Sequence, residues 1–258
     1  MVYYALNPLV IVEFSNNLHF EASMIFFTLL AITLLIYEQF YQSAVLFGFA
    51  ICTKFLPILF LPFLFRRIGF VKTIIYGAIA GITSVLLFYP FMNQEILVNI
   101  FKSIGLYFHT FEFNGSIYYL SKWLRYEVFA YFPLIFGGIA LGLYVFILMR
   151  DKNTWASFFE GITLTLTVYF AFSSTVHPWY IAGILPFFIF TNYRYLIVWT
   201  ALLPLTYITY QTTAYQQNFY LVAIEYLIVY VVLIYDLLPR KKENKELAPM
   251  PSIGGIKK

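Results

Sequence analysis

Long apolar runs separated by short polar patches set the pattern of this chain. The first run, 22–37, reads as a membrane-crossing helix. A polar patch, Glu38-Gln39-Phe40-Tyr41-Gln42-Ser43, leads into a second run at 44–65. That run is long enough to cross once, but it carries Lys54 near its middle with Pro57 and Pro62 behind it. Prolines break a helix by removing an amide donor and crowding the preceding turn, so a straight span is not expected there. Further runs lie at 73–89, 128–149, 195–210 and 219–238, with 156–175 and 176–192 forming a pair divided at His177-Pro178. A polar segment at 90–127 interrupts the series. Within it, residues 93–101 have the apolar spacing of a helix lying at a membrane interface. The end, 239–258, is polar, basic and rich in Pro and Gly, and reads as a disordered tail.

Composition turns this pattern into a class. Of 258 residues, 62% are hydrophobic and only 11% charged, with a mean hydropathy of +0.79. A soluble domain carries about 25% charged residues. The expectation is an all-α polytopic membrane protein with one transmembrane domain, 1–238. The single cysteine, Cys52, excludes a disulfide framework or a thiolate metal cluster. No basic segment marks a cleavable signal at the N-terminus. The net charge of +4 comes from basic residues in short loops and in the tail, which is a membrane-topology pattern and not a nucleic-acid footprint.

Charge placement also decides how 44–65 runs. If it crosses once, Arg66, Arg67 and Lys72 fall on the opposite side from Arg150 and Lys152. If it dips in and returns as a re-entrant helical hairpin, those five, Arg194 and the six basic residues of the tail share one face. That division sets twelve basic residues against three, Lys102, Lys122 and Arg125, and the positive-inside rule favours it. The model has about seven transmembrane helices plus the hairpin, with a cytoplasmic C-terminus, in a plasma membrane such as the bacterial inner membrane. Broken backbone at membrane depth is tolerated only against protein or a water-filled cavity, so Lys54 is expected to face one.

The candidate chemistry gathers on the other face. Residues 6–21 read Leu-Asn-Pro-Leu-Val-Ile-Val-Glu-Phe-Ser-Asn-Asn-Leu-His-Phe-Glu and bring Glu13, Asn16, Asn17, His19 and Glu21 within nine positions. Ionisable groups beside a bilayer are functional candidates, though a wet loop entering the first span explains them equally well. Glu13 and Glu21 suit a general base, and an acidic residue at a helix start also suits the helix dipole. Lys54, His19 and His177 suit an anionic phosphate. His177-Pro178-Trp179-Tyr180 is equally an aromatic belt with proline opening a helix. His109, Glu112, Lys122 and Arg125 in the 90–127 loop could hold an anionic headgroup, but a solvated loop accounts for them more simply. No pair of metal ligands shares a helical face, so no metal is assigned; a divalent cation held by carboxylates and a substrate phosphate would leave no motif. No phosphate-cradling glycine loop or serine-hydrolase elbow occurs.

Three stretches in order, 6–21, Gly48-Phe-Ala-Ile-Cys-Thr-Lys54 with Pro57, and His177-Pro-Trp-Tyr180, resemble the multi-spanning mannosyltransferases of the glycosyltransferase C superfold. The resemblance extends from Leu6 to about Leu238. It implies a polyprenyl-phosphate mannose or related hexose donor, a glycan or lipid acceptor hydroxyl, transfer on the non-cytoplasmic face and inversion at the anomeric carbon. Under it, Glu21 or Glu13 is the base, and Lys54, His19 and His177 hold the donor phosphate. Asn16 and Asn17 orient sugar hydroxyls, and Trp179 and Tyr180 stack on sugar or isoprene. The chain departs from the family in one respect. Such enzymes carry a catalytic acid in a loop after an initial helix, and here the Asn-Pro segment comes at once. The expectation is an N-terminally truncated chain lacking the principal acid. A flippase of a lipid-linked saccharide would use a similar cavity without a base, and a non-catalytic membrane subunit fits the missing acid.

Overall fold

The structure is a computed structural model and describes residues 2–109, 111–124, 131–211 and 215–238. Among these the chain is helical throughout, with one isolated bridge between Phe113 and Thr175. The main helices are α1 (Glu21–Ile36), α2 (Phe40–Thr53), α3 (Leu61–Ile68), α4 (Phe70–Phe88), α5 (Gln94–His109), α6 (Ile117–Leu124), α7 (Phe132–Met149), α8 (Trp155–Phe172), α9 (Pro178–Ala182), α10 (Tyr195–Leu202) and α11 (Phe219–Leu237). Three helical segments, Phe70–Phe91, Trp155–Phe172 and Phe219–Leu237, are long and apolar enough to cross a membrane. A fourth joins them if Pro8–Asn16 and α1, bent by 107°, count as one broken span. Their outward faces are apolar: α4 exposes Ile74, Ile82, Val85 and Leu86, and α11 exposes Leu227, Val231 and Ile234. Contiguous apolar surface of this kind calls for an apolar solvent or partner.

Three other apolar runs, 44–65, 176–192 and 195–210, divide into shorter helices, and proline accounts for each division. In a continuous helix Pro57 would have to donate to the Thr53 carbonyl, and it has no amide hydrogen. Accordingly α2 ends at Thr53, Lys54 is extended (φ −161°, ψ 140°), and Leu56–Phe60 continues as a 3₁₀ turn. Pro186 stands in the same relation to Ala182, where α9 stops before the short helix Leu185–Phe188. Pro204 stands so to Thr200, and beyond α10 the chain becomes a 3₁₀ helix, Leu203–Gln211. The polar segment 90–127 is more helical than a solvated loop, for it contains α5 and α6. Arg125, the side chain of His109 and the tail 239–258 lie outside the described residues.

Two joints hold the helices in place. At the first, α1, α2 and α4 pack through small residues. Ser43 donates to the Ala31 carbonyl (2.7 Å) and shares a hydrogen bond with Tyr76 (2.8 Å). Ser84 donates to Gly48 O and Ala80 O. A Cβ at Gly48 would stand 2.7 Å from both the Ala80 carbonyl oxygen and the Thr83 Cβ. We therefore expect Gly48→Ala to destabilise the fold by about 2 kcal/mol, read as a lowered midpoint in chemical denaturation; an unchanged midpoint would show that α2 and α4 slide apart freely.

The second joint ties α3 to the α7–α8 turn. Arg67 forms a two-pronged pair with Asp151 (2.5 and 2.9 Å) and also donates to Phe63 O and Thr154 O. Burial alone would raise the Asp151 carboxyl. Hydrogen bonds from Arg67 and Ser157, with the Arg67 charge and the Asn153 amide, outweigh it and hold the group below the ordinary aspartate range. Thr154 caps α8 in a reciprocal box with Ser157.

Candidate active site

The site is built from the N-terminal leader, the break after α2, the turn before α9 and the loop before α6. Asn7 fixes the leader at both ends: its side chain caps Pro8–Val10 by accepting from the Leu9 amide (3.0 Å) and donates to Thr200 of α10 (3.1 Å). A π-helical turn, Ile11–Asn16, follows. Such wide turns rotate a side chain off the regular α-helical face and recur at functional sites. Here the turn contributes Glu13, which is fully buried. Its carboxylate accepts from Tyr207 and from Asn17 (2.9 Å), and His19 Nε2 lies 3.2 Å away.

Glu21 opens α1, and Lys54 sits at the broken end of α2. The break turns the lysine back onto Glu21, with which it forms an ion pair, and its ammonium lies 3.7 Å from the centre of the Tyr180 ring. The Glu21 side chain is nearly buried, while just over a quarter of the Lys54 side chain reaches solvent (28%). A cation over an aromatic face in a partly dehydrated site gains from both partners.

A series of stacked rings connects this pair to the rest. His19 stacks on Trp179 (3.9 Å), Trp179 on His177 (4.1 Å) and His177 on Phe113 (4.7 Å). Tyr210 continues the series beyond Phe113 at 5.9 Å. Phe113 is held between Ser174 and Val176 by two backbone hydrogen bonds, and its neighbour Asn114 is anchored to α11. The loop before α6 therefore clasps the His177 turn against the helices.

The structure thus brings together Glu13, Glu21, Lys54, His19, His177, Trp179 and Tyr180 from distant parts of the sequence. Asn17 joins through Glu13. Asn16 contacts the site only through Asn17 (3.0 Å) and is itself exposed. His177 is a neutral imidazole at neutral pH, so toward a phosphate it offers an N–H donor and no charge. It lies in the connection between α8 and α9, stacked and nearly buried, and its Nδ1 is buried without a partner. Protonating both nitrogens would bury an N–H that has no acceptor. Burial pushes its pKa down to about 4, and the nearby Lys54 and His19 charges add to the effect. Trp179 is already stacked on two imidazoles. Tyr180 carries Lys54 on its ring and stacks on Phe170, so these two side chains organise the site from behind.

The depressed His177 value sets a pH dependence. Its folded pKa lies below the ordinary value near 6.5, so the unfolded chain binds the proton more readily. Stability from this group is full above about pH 6.5 and is lost as pH falls through about 4. In ¹³C-histidine NMR, one of the three histidines should titrate near pH 4; three ordinary titrations would show that the His177 pocket is open.

Sequence reasoning missed Tyr207, Asn114, Gln217 and Glu225. Glu225 was the most legible of them, as the lone carboxylate within the central turns of the last apolar run. Tyr207 and Asn114 gave no local signal, because their partners lie 194 and 111 positions away. Among the described residues no group of three or more His, Cys, Asp or Glu side chains could hold a metal ion. Compared with known family models, with curated proteins and with solved structures, the chain matches none.

Proposed function

We propose that this chain is a membrane glycosyltransferase that moves a hexose, in the first instance mannose, from a polyprenyl-phosphate donor to a glycan or lipid hydroxyl on the non-cytoplasmic face. What supports this reading most is the Lys54–Glu21 pair at a helix break, flanked by Tyr180 and the stacked histidines. It places a cation and a carboxylate side by side in a sheltered, apolar setting, as the reaction needs.

In the resting chain Lys54 and Glu21 neutralise one another. A lipid phosphate entering the site competes for the lysine and frees the carboxylate. The acceptor hydroxyl then gives its proton to Glu21 as its oxygen bonds to the anomeric carbon from the face opposite the phosphate. The anomeric C–O bond breaks, and its electron pair leaves with the polyprenyl phosphate, whose charge Lys54 stabilises. Inversion at the anomeric carbon follows from this single displacement. Glu13 is the less accessible carboxylate, because it is fully buried and Tyr207, Asn17 and His19 already occupy its oxygens.

The test is transfer of labelled mannose from its polyprenyl phosphate by the full chain in reconstituted membranes. The expected result is release of polyprenyl phosphate, lost in Glu21→Gln and reduced but retained in Glu13→Gln. A second reading, a non-catalytic subunit that holds the lipid phosphate, draws on both carboxylates being engaged. It predicts donor binding with no release of polyprenyl phosphate from the wild-type chain.

A further inference from the structure

Glu225 is 1% exposed on α11 and has no part in the proposed transfer. Among the described residues its hydrogen-bond partners are neutral: Trp199 Nε1 donates to Oε1 (2.9 Å), and Asn114 Nδ2 lies 3.2 and 3.4 Å from the two oxygens. A carboxylate in such a place keeps its charge only if something positive joins it. Asn114 is 1% exposed as well, and its Oδ1 is buried with no hydrogen-bond partner. It cannot turn to serve Tyr226 or Gln217, because its backbone carbonyl and amide already bond to those two side chains (2.7 and 2.8 Å). Asn114 adopts the left-handed backbone (φ 51°) that asparagine tolerates better than most residues.

A small cavity adjoins both groups. Glu225, Asn114, Thr206, Thr209 and Gln217 line it, and it leaves about 10 Å³ for the centre of a water-sized guest, room for one. Thr206 and Thr209 belong to the 3₁₀ helix Leu203–Gln211. Side chains three apart eclipse one another in a 3₁₀ helix, so both hydroxyls lie along one edge. The polar lining is rich in oxygen, with a single formal negative charge.

We propose that this cavity is a binding site for one small monovalent cation, sodium in the first instance, held by the Glu225 carboxylate and Asn114 Oδ1 with help from the threonine hydroxyls. Oxygen donors select a hard cation, and one carboxylate balances one positive charge. A water molecule would satisfy Asn114 but leave the Glu225 charge uncompensated. A proton on Oε2 would face the Asn114 amide donor at 3.4 Å and leave Oδ1 unmet. A cation meets both needs with one guest, where otherwise a proton and a water would have to share them. The proposal does not rest on the transfer chemistry.

The experiment is thermal unfolding of the purified full chain in detergent, in sodium, potassium or choline chloride at equal ionic strength. Sodium should raise the midpoint saturably, by roughly 5 °C, and choline should not. Glu225→Gln keeps the shape and an acceptor for Trp199, and should lose the sodium response. Equal midpoints for the wild-type chain in sodium and choline overturn the proposal, whether or not the variant folds. A midpoint indifferent to sodium but moved by pH assigns the charge to a proton and overturns it equally.

Discussion

Under the proposed function, replacing Lys54 by methionine should lower transfer by about 10²–10³-fold or more, the scale on which an aimed donor stabilises a leaving oxyanion. The same change strands the nearly buried Glu21 carboxylate beside Tyr180. Stability should fall by about 1–3 kcal/mol, less than for a fully buried pair because part of Lys54 meets solvent. These two losses can be separated. Lys54→Met combined with Glu21→Gln removes both charges together, so the stability returns while transfer does not. Denaturation midpoints and labelled-mannose transfer, measured on the wild-type chain and the three variants, decide it. Unimpaired transfer by Lys54→Met would remove the lysine from the site. Recovered transfer in the double variant would reduce the pair to a fastening.

The largest purely structural effect is expected at Arg67. Its side chain is 4% exposed and that of Asp151 1%, and the arginine makes three hydrogen bonds joining α3 to the α7–α8 turn and a fourth within α3. Arg67→Met leaves the buried Asp151 carboxylate hydrogen-bonded, among the described residues, by Ser157 and the Asn153 amide alone, at a cost of about 3–5 kcal/mol. The joint also sets the acid limit of the fold. Because the Asp151 carboxyl is held below its ordinary range, its contribution is full above about pH 4 and is lost as pH falls through the depressed value. Arg67→Met should therefore lower the denaturation midpoint at neutral pH and flatten its dependence below about pH 4. A variant as stable as the parent at neutral pH would show that the pair contributes nothing net.

Local signals made much of this legible in the sequence. The break at Lys54 announced itself through a charge within an apolar run and a proline three residues on. The clustering of Glu13, Asn17, His19 and Glu21 was visible because they are neighbours in the chain. Their pairings were not. Glu21 and Lys54 are 33 positions apart, and nothing in either stretch identifies the other. Apolar runs at 44–65, 176–192 and 195–210 look like spans when hydropathy is averaged, because a window of that width hides what one proline does to a backbone. The left-handed Glu38 that ends α1 went unnoticed too. It completes the helix with a Gln39 amide bonded to Leu34 O and a Glu38 amide bonded to Leu35 O, a role usually taken by glycine.

The stacking of Trp179 on two imidazoles has an optical consequence. Imidazolium quenches indole emission by accepting an electron from the excited ring, and neutral imidazole does so far less. Of the four tryptophans in the chain, Trp199 donates to Glu225, Trp155 packs near Arg67 and Phe158, and Trp123 is largely exposed. Trp179 is the one stacked on histidine among the described residues, and one of its neighbours, His19, stands beside the buried Glu13 carboxylate. The chain therefore carries its own fluorophore at the point where leader and turn meet. Any ligand or variant that changes the charge on His19 changes the light that Trp179 emits.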